Sequence, residues 1–269
     1  MSIRHAPTMD ARGCALCSNE AQRTLHHIDG YDIRACARCG FAHIDPFPAR
    51  SARPAFYAGT AIAARKEKKK RGPLKRLAAF VRHWLRKGSG RTKGTLFLRE
   101  LMRRLPRGRR VLDIGCGSGA FLASARDTFV CTGIEISADL AAAARTLGVE
   151  VLVGNFSDYP FEGRTFDAVV MISLLEHLDD PFHALRACHA LLEEGGVLLL
   201  KTVNHGGLNR RLMGARWSGY RPPDHMVYFS PSALKRALEE AGFHRIEIHA
   251  PWFNDSFYCY AVRRPNAHA

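Results

Sequence analysis

From Arg109 to the end of the chain, short apolar runs of strand character alternate with runs of helical spacing, and this alternation narrows the fold more than any other feature. Strands are expected at 109–114, 130–135, 149–153, 167–172, 196–203, 245–249 and 256–262, with helices near 118–127, 138–147 and 181–192. Strands joined through helices run parallel, because each crossover must cover a face of the sheet. The expectation is an α/β, Rossmann-like, doubly wound and mostly parallel seven-stranded sheet. A last helix should start where Ser230 offers a hydroxyl N-cap with Pro231 behind it, and stop at Gly242.

The first turn of that sheet carries Val111-Leu112-Asp113-Ile114-Gly115-Cys116-Gly117-Ser118-Gly119, a buried strand running into three glycines and then a helix. Glycines let the backbone turn tightly against a ligand, and the helix start presents unpaired N–H groups, so this reads as a nucleotide-cofactor loop. Two cofactor classes remain open on these residues. Gly115, Gly117 and Ala120 also satisfy the dinucleotide pattern G-x-G-x-x-G/A. Glu135 lies 20 positions after Gly115, and in either class its carboxylate can accept hydrogen bonds from both ribose hydroxyls.

Here the sequence resembles a known family. The 111–119 segment is similar to the first motif of class I S-adenosylmethionine-dependent methyltransferases, in which an acidic residue precedes the first glycine by two. Gly133-Ile134-Glu135-Ile136-Ser137 resembles their second-strand motif. Gly154-Asn155-Phe156 stands where the family places an adenine-contacting pair, with Asn155 in place of the usual Asp. Phe166-Asp167-Ala168-Val169-Val170, Leu175-Glu176-His177-Leu178 and Gly195-Gly196-Val197-Leu198-Leu199-Leu200 resemble the fourth strand, the turn after it, and the fifth strand. The resemblance covers about 109–262. It implies S-adenosyl-L-methionine as cofactor, with Asp113 and the loop of Gly115, Cys116, Gly117 and Gly119 near its methionine portion, Glu135 at the ribose, and Asn155 and Phe156 at the adenine.

On the acceptor side, residues 204–229 interrupt the sheet and contain His205, Trp217, Tyr220, His225, Tyr228 and Phe229. The stretch Asp224-His225-Met226-Val227-Tyr228-Phe229-Ser230 resembles one that family members use to cover the active site. His225 is the first candidate for a general base, since imidazole titrates near neutral pH, and His177 is the second. The aromatic residues suit either an acceptor pocket or burial of the covering segment.

Cys14-x2-Cys17 and Cys36-x2-Cys39, 18 residues apart, have the spacing of a four-thiolate zinc ribbon. A closed four-cysteine shell leaves no open position, so the expected Zn2+ is structural. This arrangement is similar to the amino-terminal zinc-binding domain of some sugar methyltransferases. The expected organisation is a zinc-ribbon module over 1–48, a basic and partly helical connecting region over 49–108, and a methyltransferase domain over 109–269.

Charge is concentrated in that connection. Residues 65–110 hold 19 Lys or Arg against Glu67 and Glu100, whereas the whole chain carries a net +15. Leu74 to Lys87 has the spacing of an amphipathic basic helix, so an anionic membrane surface or a nucleic acid is a candidate partner for 65–110. No run is long and apolar enough for a signal peptide or a membrane span, and a soluble cytoplasmic protein is expected. The leading expectation for function is methyl transfer to oxygen of a small-molecule or glycan acceptor. An RNA or other nucleic-acid methyltransferase, a nicotinamide-dependent oxidoreductase and a non-enzymatic adaptor are the rivals. No Asn-Pro-Pro-Tyr-type motif follows the fourth strand, where Ile172-Ser173-Leu174-Leu175 stands instead.

Overall fold

A computed structural model describes residues 13–48 and 93–264, with side chains described from Phe97 onward in the second stretch. The amphipathic helix expected over Leu74 to Lys87 lies outside the described residues. Seven strands form one mostly parallel sheet, in the order Phe243–His249, Ser256–Arg263, Leu192–Val203, Phe166–Ile172, Arg110–Ile114, Val130–Glu135 and Glu150–Val153. The chain divides into two units, with boundaries at Arg50/Ser51 and at Asn155/Phe156.

The unit that ends at Asn155 contains α1 (Lys93–Arg104), β4 (Arg110–Ile114), α2 (Leu122–Ala125), β5 (Val130–Glu135), α3 (Ala138–Arg145) and β6 (Glu150–Val153). β4 pairs with β5 and β5 with β6, both in parallel. These strands read as continuous apolar runs because helices cover both faces, and Val111, Leu112, Ile114, Cys131 and Ile134 are all buried. Ser137 caps α3 by accepting from the Leu140 amide. The helix expected over 118–127 is reduced to Leu122–Ala125, because successive turns occupy 115–121 and the first helical residue is delayed.

The other unit joins the amino-terminal residues to everything after Asn155. Here β1 (Gln22–Ile28) and β2 (Tyr31–Cys36) form a hairpin across Asp29-Gly30, and β3 (Ala42–Asp45) pairs with β2. β9 (Val227–Tyr228) completes this second sheet by pairing antiparallel with β3, Ala42 opposite Tyr228 and His43 opposite Val227. A residue pair drawn from the 204–229 segment is thus the fourth strand of the cysteine module's sheet. The contact is apolar as well as hydrogen-bonded, since the Phe41 ring lies 4.9 Å from Phe229 and 5.3 Å from Phe182.

The remainder of that unit is β7 (Phe166–Ile172), α4 (Pro181–Leu191), β8 (Leu192–Val203), α5 (Leu208–Met213), α6 (Pro231–Glu240), β10 (Phe243–His249) and β11 (Ser256–Arg263). β7 and β8 run parallel, while β11 returns antiparallel to β8 and β10 antiparallel to β11. Ser230 caps α6 through the Ala233 amide with Pro231 in the first turn, as expected. Asp180 does the same for α4 through the His183 amide at 2.8 Å. Among the described residues, no helix is long and apolar enough to cross a membrane.

Candidate functional site

The glycine loop follows the carboxyl end of β4, the position where open α/β sheets bind ligands. Its path is fixed by β5: the Gly115 and Cys116 amides both donate to the Ile134 carbonyl, at 2.9 and 3.2 Å. Gly117 has a φ of +55°, and a Cβ built there meets no atom within 4 Å. The loop therefore leaves open space at a backbone conformation that L side chains rarely adopt. At Gly119 the constraint is packing, since an added Cβ would lie 2.5 Å from Leu147. Cys116 turns inward and is buried beside Gly133, where a Cβ would stand 2.8 Å from its sulfur.

Two carboxylates frame this loop. Glu135, at the end of β5, accepts the Gly117 amide at 2.9 Å on one oxygen and the Ser137 amide at 3.0 Å on the other. It braces the loop directly, a role the spacing did not reveal, and each oxygen keeps a lone pair for a ribose hydroxyl. Asp113 is buried at the end of β4, and its pKa is pushed up to about 8, first by burial and then by the negative charge of Glu135. Such a group is costly to ionise until a cation arrives. The ammonium of an amino-acid cofactor is a cation that fits this place. Asn155 is exposed and follows β6, whereas Phe156 is buried, its ring 6.1 Å from Phe161.

Because the folded pKa of Asp113 lies above its unfolded value, the fold holds that proton and should lose stability as pH rises from about 4 to about 8. Binding a cationic cofactor then expels the proton, close to one per molecule at about pH 6.5 and about half at pH 8. Calorimetry in buffers of different ionisation heat measures this number, and Asp113→Asn should bring it to zero. Glu135→Ala strands the Gly117 and Ser137 amides and removes the acceptor offered to a ribose, so affinity for S-adenosylhomocysteine should weaken by about 1–3 kcal/mol. Unchanged affinity by titration would remove this carboxylate from the site.

In the other unit, the turn Leu175–His177 and the Arg221–His225 segment converge. Glu176 is buried and accepts from the Thr202 hydroxyl at 2.8 Å, while its carbonyl receives the Met226 amide. Lys201, also buried near the end of β8, donates to the Ser173 hydroxyl at 2.6 Å. Neither Lys201 nor Thr202 was singled out from the sequence, although a lysine closing the apolar run 197–200 is a visible signal.

The two histidines differ sharply. His225 Nδ1 bonds the Gly219 carbonyl at 2.7 Å, and burial, helped by the positive His177 and Arg221, pulls its pKa down to about 3. His177 Nδ1 lies 2.8 Å from the Asp224 carbonyl and 3.1 Å from its carboxylate. Burial alone would lower the His177 pKa, but the Asp224 bond and the Glu176 and Asp224 charges outweigh it and raise the value. Asp224 is held well below the usual carboxylate range: burial opposes ionisation, but His177 and Arg221 prevail. The two rings meet edge to face at 4.7 Å. Polar atoms of Glu176, His177 and His225 lie within 4.8 Å of one another, a donor set a divalent cation could also use. The aromatic residues of the segment are mostly packed inward: Trp217, Tyr220, Tyr228 and Phe229 are buried, with Tyr220 donating to or accepting from His205 at 2.9 Å.

The four cysteines also converge. Cys14 and Cys39 sulfurs are 3.5 Å apart, as are Cys17 and Cys36, and all four lie within 4.8 Å. Tetrahedral zinc with bonds of about 2.3 Å places its sulfurs about 3.8 Å apart, so the cluster has the required size. The Arg38 and Cys39 amides point at the Cys36 sulfur at 3.4 and 3.5 Å, neutralising a thiolate from the backbone. Cys14 is drawn down to about 5, chiefly by the S–H of Cys39.

Fold and cofactor loop together define an S-adenosylmethionine-dependent methyltransferase. The model of the family described as a methyltransferase domain matches residues 84–248, and the chain belongs to that family. It is 32% identical over 167 residues to a ubiquinone biosynthesis O-methyltransferase of Xanthomonas axonopodis pv. citri, covering 55% of this chain and 70% of the relative. To the protein of that name from Xanthomonas campestris pv. campestris it is 39% identical over 165 residues, covering 55% and 69%. Solved structures share the fold at lower identity. A magnesium protoporphyrin IX methyltransferase from Synechocystis superposes with a TM-score of 0.52 at 19% identity, covering 64% of this chain and 82% of that one. An amino pentose methyltransferase from Micromonospora echinaspora gives 0.51 at 19%, covering 68% and 96%.

Proposed function

We propose that the chain methylates a hydroxyl oxygen of a small-molecule or glycan acceptor, with His177 as the general base. The observation that carries this reading is the Asp224–His177 pair. The Asp224 backbone carbonyl, 2.8 Å from Nδ1, holds that nitrogen as the protonated one, and the Asp224 carboxylate 3.1 Å away supplies the charge that favours imidazolium, on a turn that follows the carboxyl end of β7. His225, the first candidate on sequence grounds, is the weaker base, because burial and its positive neighbours disfavour a proton on it. It buttresses the His177 ring. The O-methyltransferase names of the sequence relatives support oxygen as the atom methylated.

Asp113, the 115–119 loop, Glu135, Asn155 and Phe156 would hold S-adenosyl-L-methionine. Once bound, it supplies an electrophilic methyl group on a sulfonium. His177 takes the hydroxyl proton as the acceptor oxygen becomes nucleophilic, and Asp224 stabilises the resulting imidazolium. The organisation proposed is a zinc-ribbon module over 1–48, a connecting region over 49–108 and the catalytic domain over 109–269, with Zn2+ on Cys14, Cys17, Cys36 and Cys39.

The pH profile tests the base. A base works only when neutral, so kcat should fall as pH falls through the raised pKa of His177. Asp224→Asn removes the charge that raises it. The acid limb should then move to lower pH, while the plateau rate falls. An acid limb that stays in place would reject the pair as the catalytic unit.

A further inference from the structure

Three of the most exposed large apolar residues of the described chain stand together on one surface. Trp252 is 78% exposed, Leu212 72% and Phe253 71%, with Met213 beside them at 49%. They come from two chain segments far apart in sequence, and the segments are bound to each other. The Leu208 amide donates to the Trp252 carbonyl at 3.1 Å, and Asn209 Nδ2 donates to the Phe253 carbonyl at 2.9 Å. Asp255 fixes the assembly by accepting from Asn209, from the Trp217 indole at 2.9 Å and from the Ser218 hydroxyl at 2.7 Å. Leu212 and Met213 follow Leu208 and Asn209 by one helical turn, and so rise from the positions that touch the 252–253 turn.

Exposed cations adjoin the helix: Arg211 precedes Leu212 and Arg216 stands three positions after Met213, both exposed. Arg221 is paired with Asp224, and the one carboxylate at the junction, Asp255, is taken up by Asn209, Trp217 and Ser218. Contrast the two tryptophans of this region: Trp217 is buried with its N–H bonded, while Trp252 is held out in water by a well-bonded turn.

We propose that this surface docks the protein on an anionic phospholipid bilayer, with Trp252, Phe253, Leu212 and Met213 entering the interface and Arg211 and Arg216 meeting headgroup phosphates. Tryptophan and phenylalanine on a turn suit the headgroup level, and arginine beside them adds the preference for anionic lipid. A second copy of the chain fits less well. A stable protein interface needs about 800 Å² on each partner with shape complementarity, more than four side chains supply by themselves. The bilayer requires no complementary shape.

The test uses the full chain, so that the basic stretch 65–92 is present throughout. Sedimentation with phosphatidylcholine vesicles containing about a third phosphatidylglycerol should pull down the protein, less so as salt rises, while pure phosphatidylcholine should retain far less. Trp252→Ser with Phe253→Ser should lower partition at least about tenfold, with melting temperature and S-adenosylhomocysteine affinity unchanged. Leu212→Ser with Met213→Ser should lower it in the same way, which guards against local misfolding in either variant. The proposal is overturned if the wild type ignores anionic vesicles, or if both variants bind as the wild type does, leaving the 65–92 stretch as the carrier. It is equally overturned if the wild type dimerises and the variants become monomeric without loss of vesicle binding.

Discussion

Replacing His177 by Asn is expected to lower kcat by about 10²–10⁴-fold, the usual contribution of a positioned general base. Asparagine preserves a polar group near Asp224 but has no basic nitrogen. Because no cofactor contact is assigned to His177, affinity for S-adenosylhomocysteine should stay within about twofold. His225→Asn should behave differently. Its Nδ1 bond to Gly219 and its contact with the His177 ring are packing roles, so the larger effect should be on stability, about 1–3 kcal/mol for a broken buried bond. If His225→Asn instead abolished turnover while His177→Asn turned over normally, the assignment of roles would be reversed.

The second large effect concerns the metal. The double substitution of Cys14 and Cys17 by Ser should remove one zinc per chain by elemental analysis and destabilise the fold by several kcal/mol, on the order of 10 °C in melting temperature. The damage should spread beyond the module. β3 pairs with β9, the Ile44 amide donates to the Met226 carbonyl, and Phe41 packs on Phe229 and Phe182. These contacts flank Asp224 and His225 directly. Turnover should therefore fall in the zinc-free protein even at temperatures where S-adenosylhomocysteine still binds the glycine loop. Protein purified without zinc, with all four thiols reduced and the same melting temperature, would show that the cluster is not a metal site.

Much of the sheet was legible because its signals are local. Apolar runs of five to seven residues between glycines and caps marked β4, β5, β7 and β11 nearly to the residue, and the Ser230-Pro231 start of α6 is a cap whose chemistry is complete within four positions. What was missed depends on partners distant in sequence. β9 is two residues long and is a strand only because β3, more than 180 positions earlier, supplies its hydrogen bonds. The β1–β2 hairpin is the exception, since its signal, Asp29-Gly30 between two strand-like runs, is local. α5 is short, has no side-chain cap and owes its place to Trp252 and Phe253 carbonyls.

The site divides in the same way. The loop glycines, Asp113 and Glu135 sit on one continuous strand-turn-strand pattern, so their order and spacing pointed to a cofactor. The proposed base does not sit on a pattern of that kind. His225 and His177 both qualify as bases by residue type, and each bonds a backbone carbonyl through Nδ1; only the neighbouring charges separate them, positive His177 and Arg221 for one, negative Asp224 and Glu176 for the other. Burial and pairing are properties of the fold, and spacing alone carries no trace of them.

Titration calorimetry of the full chain with S-adenosylhomocysteine and, separately, with NAD tests the central claim most directly. The account predicts saturable one-to-one binding of S-adenosylhomocysteine with proton release near one at about pH 6.5, and no heat with NAD. Binding of NAD without binding of S-adenosylhomocysteine would contradict it.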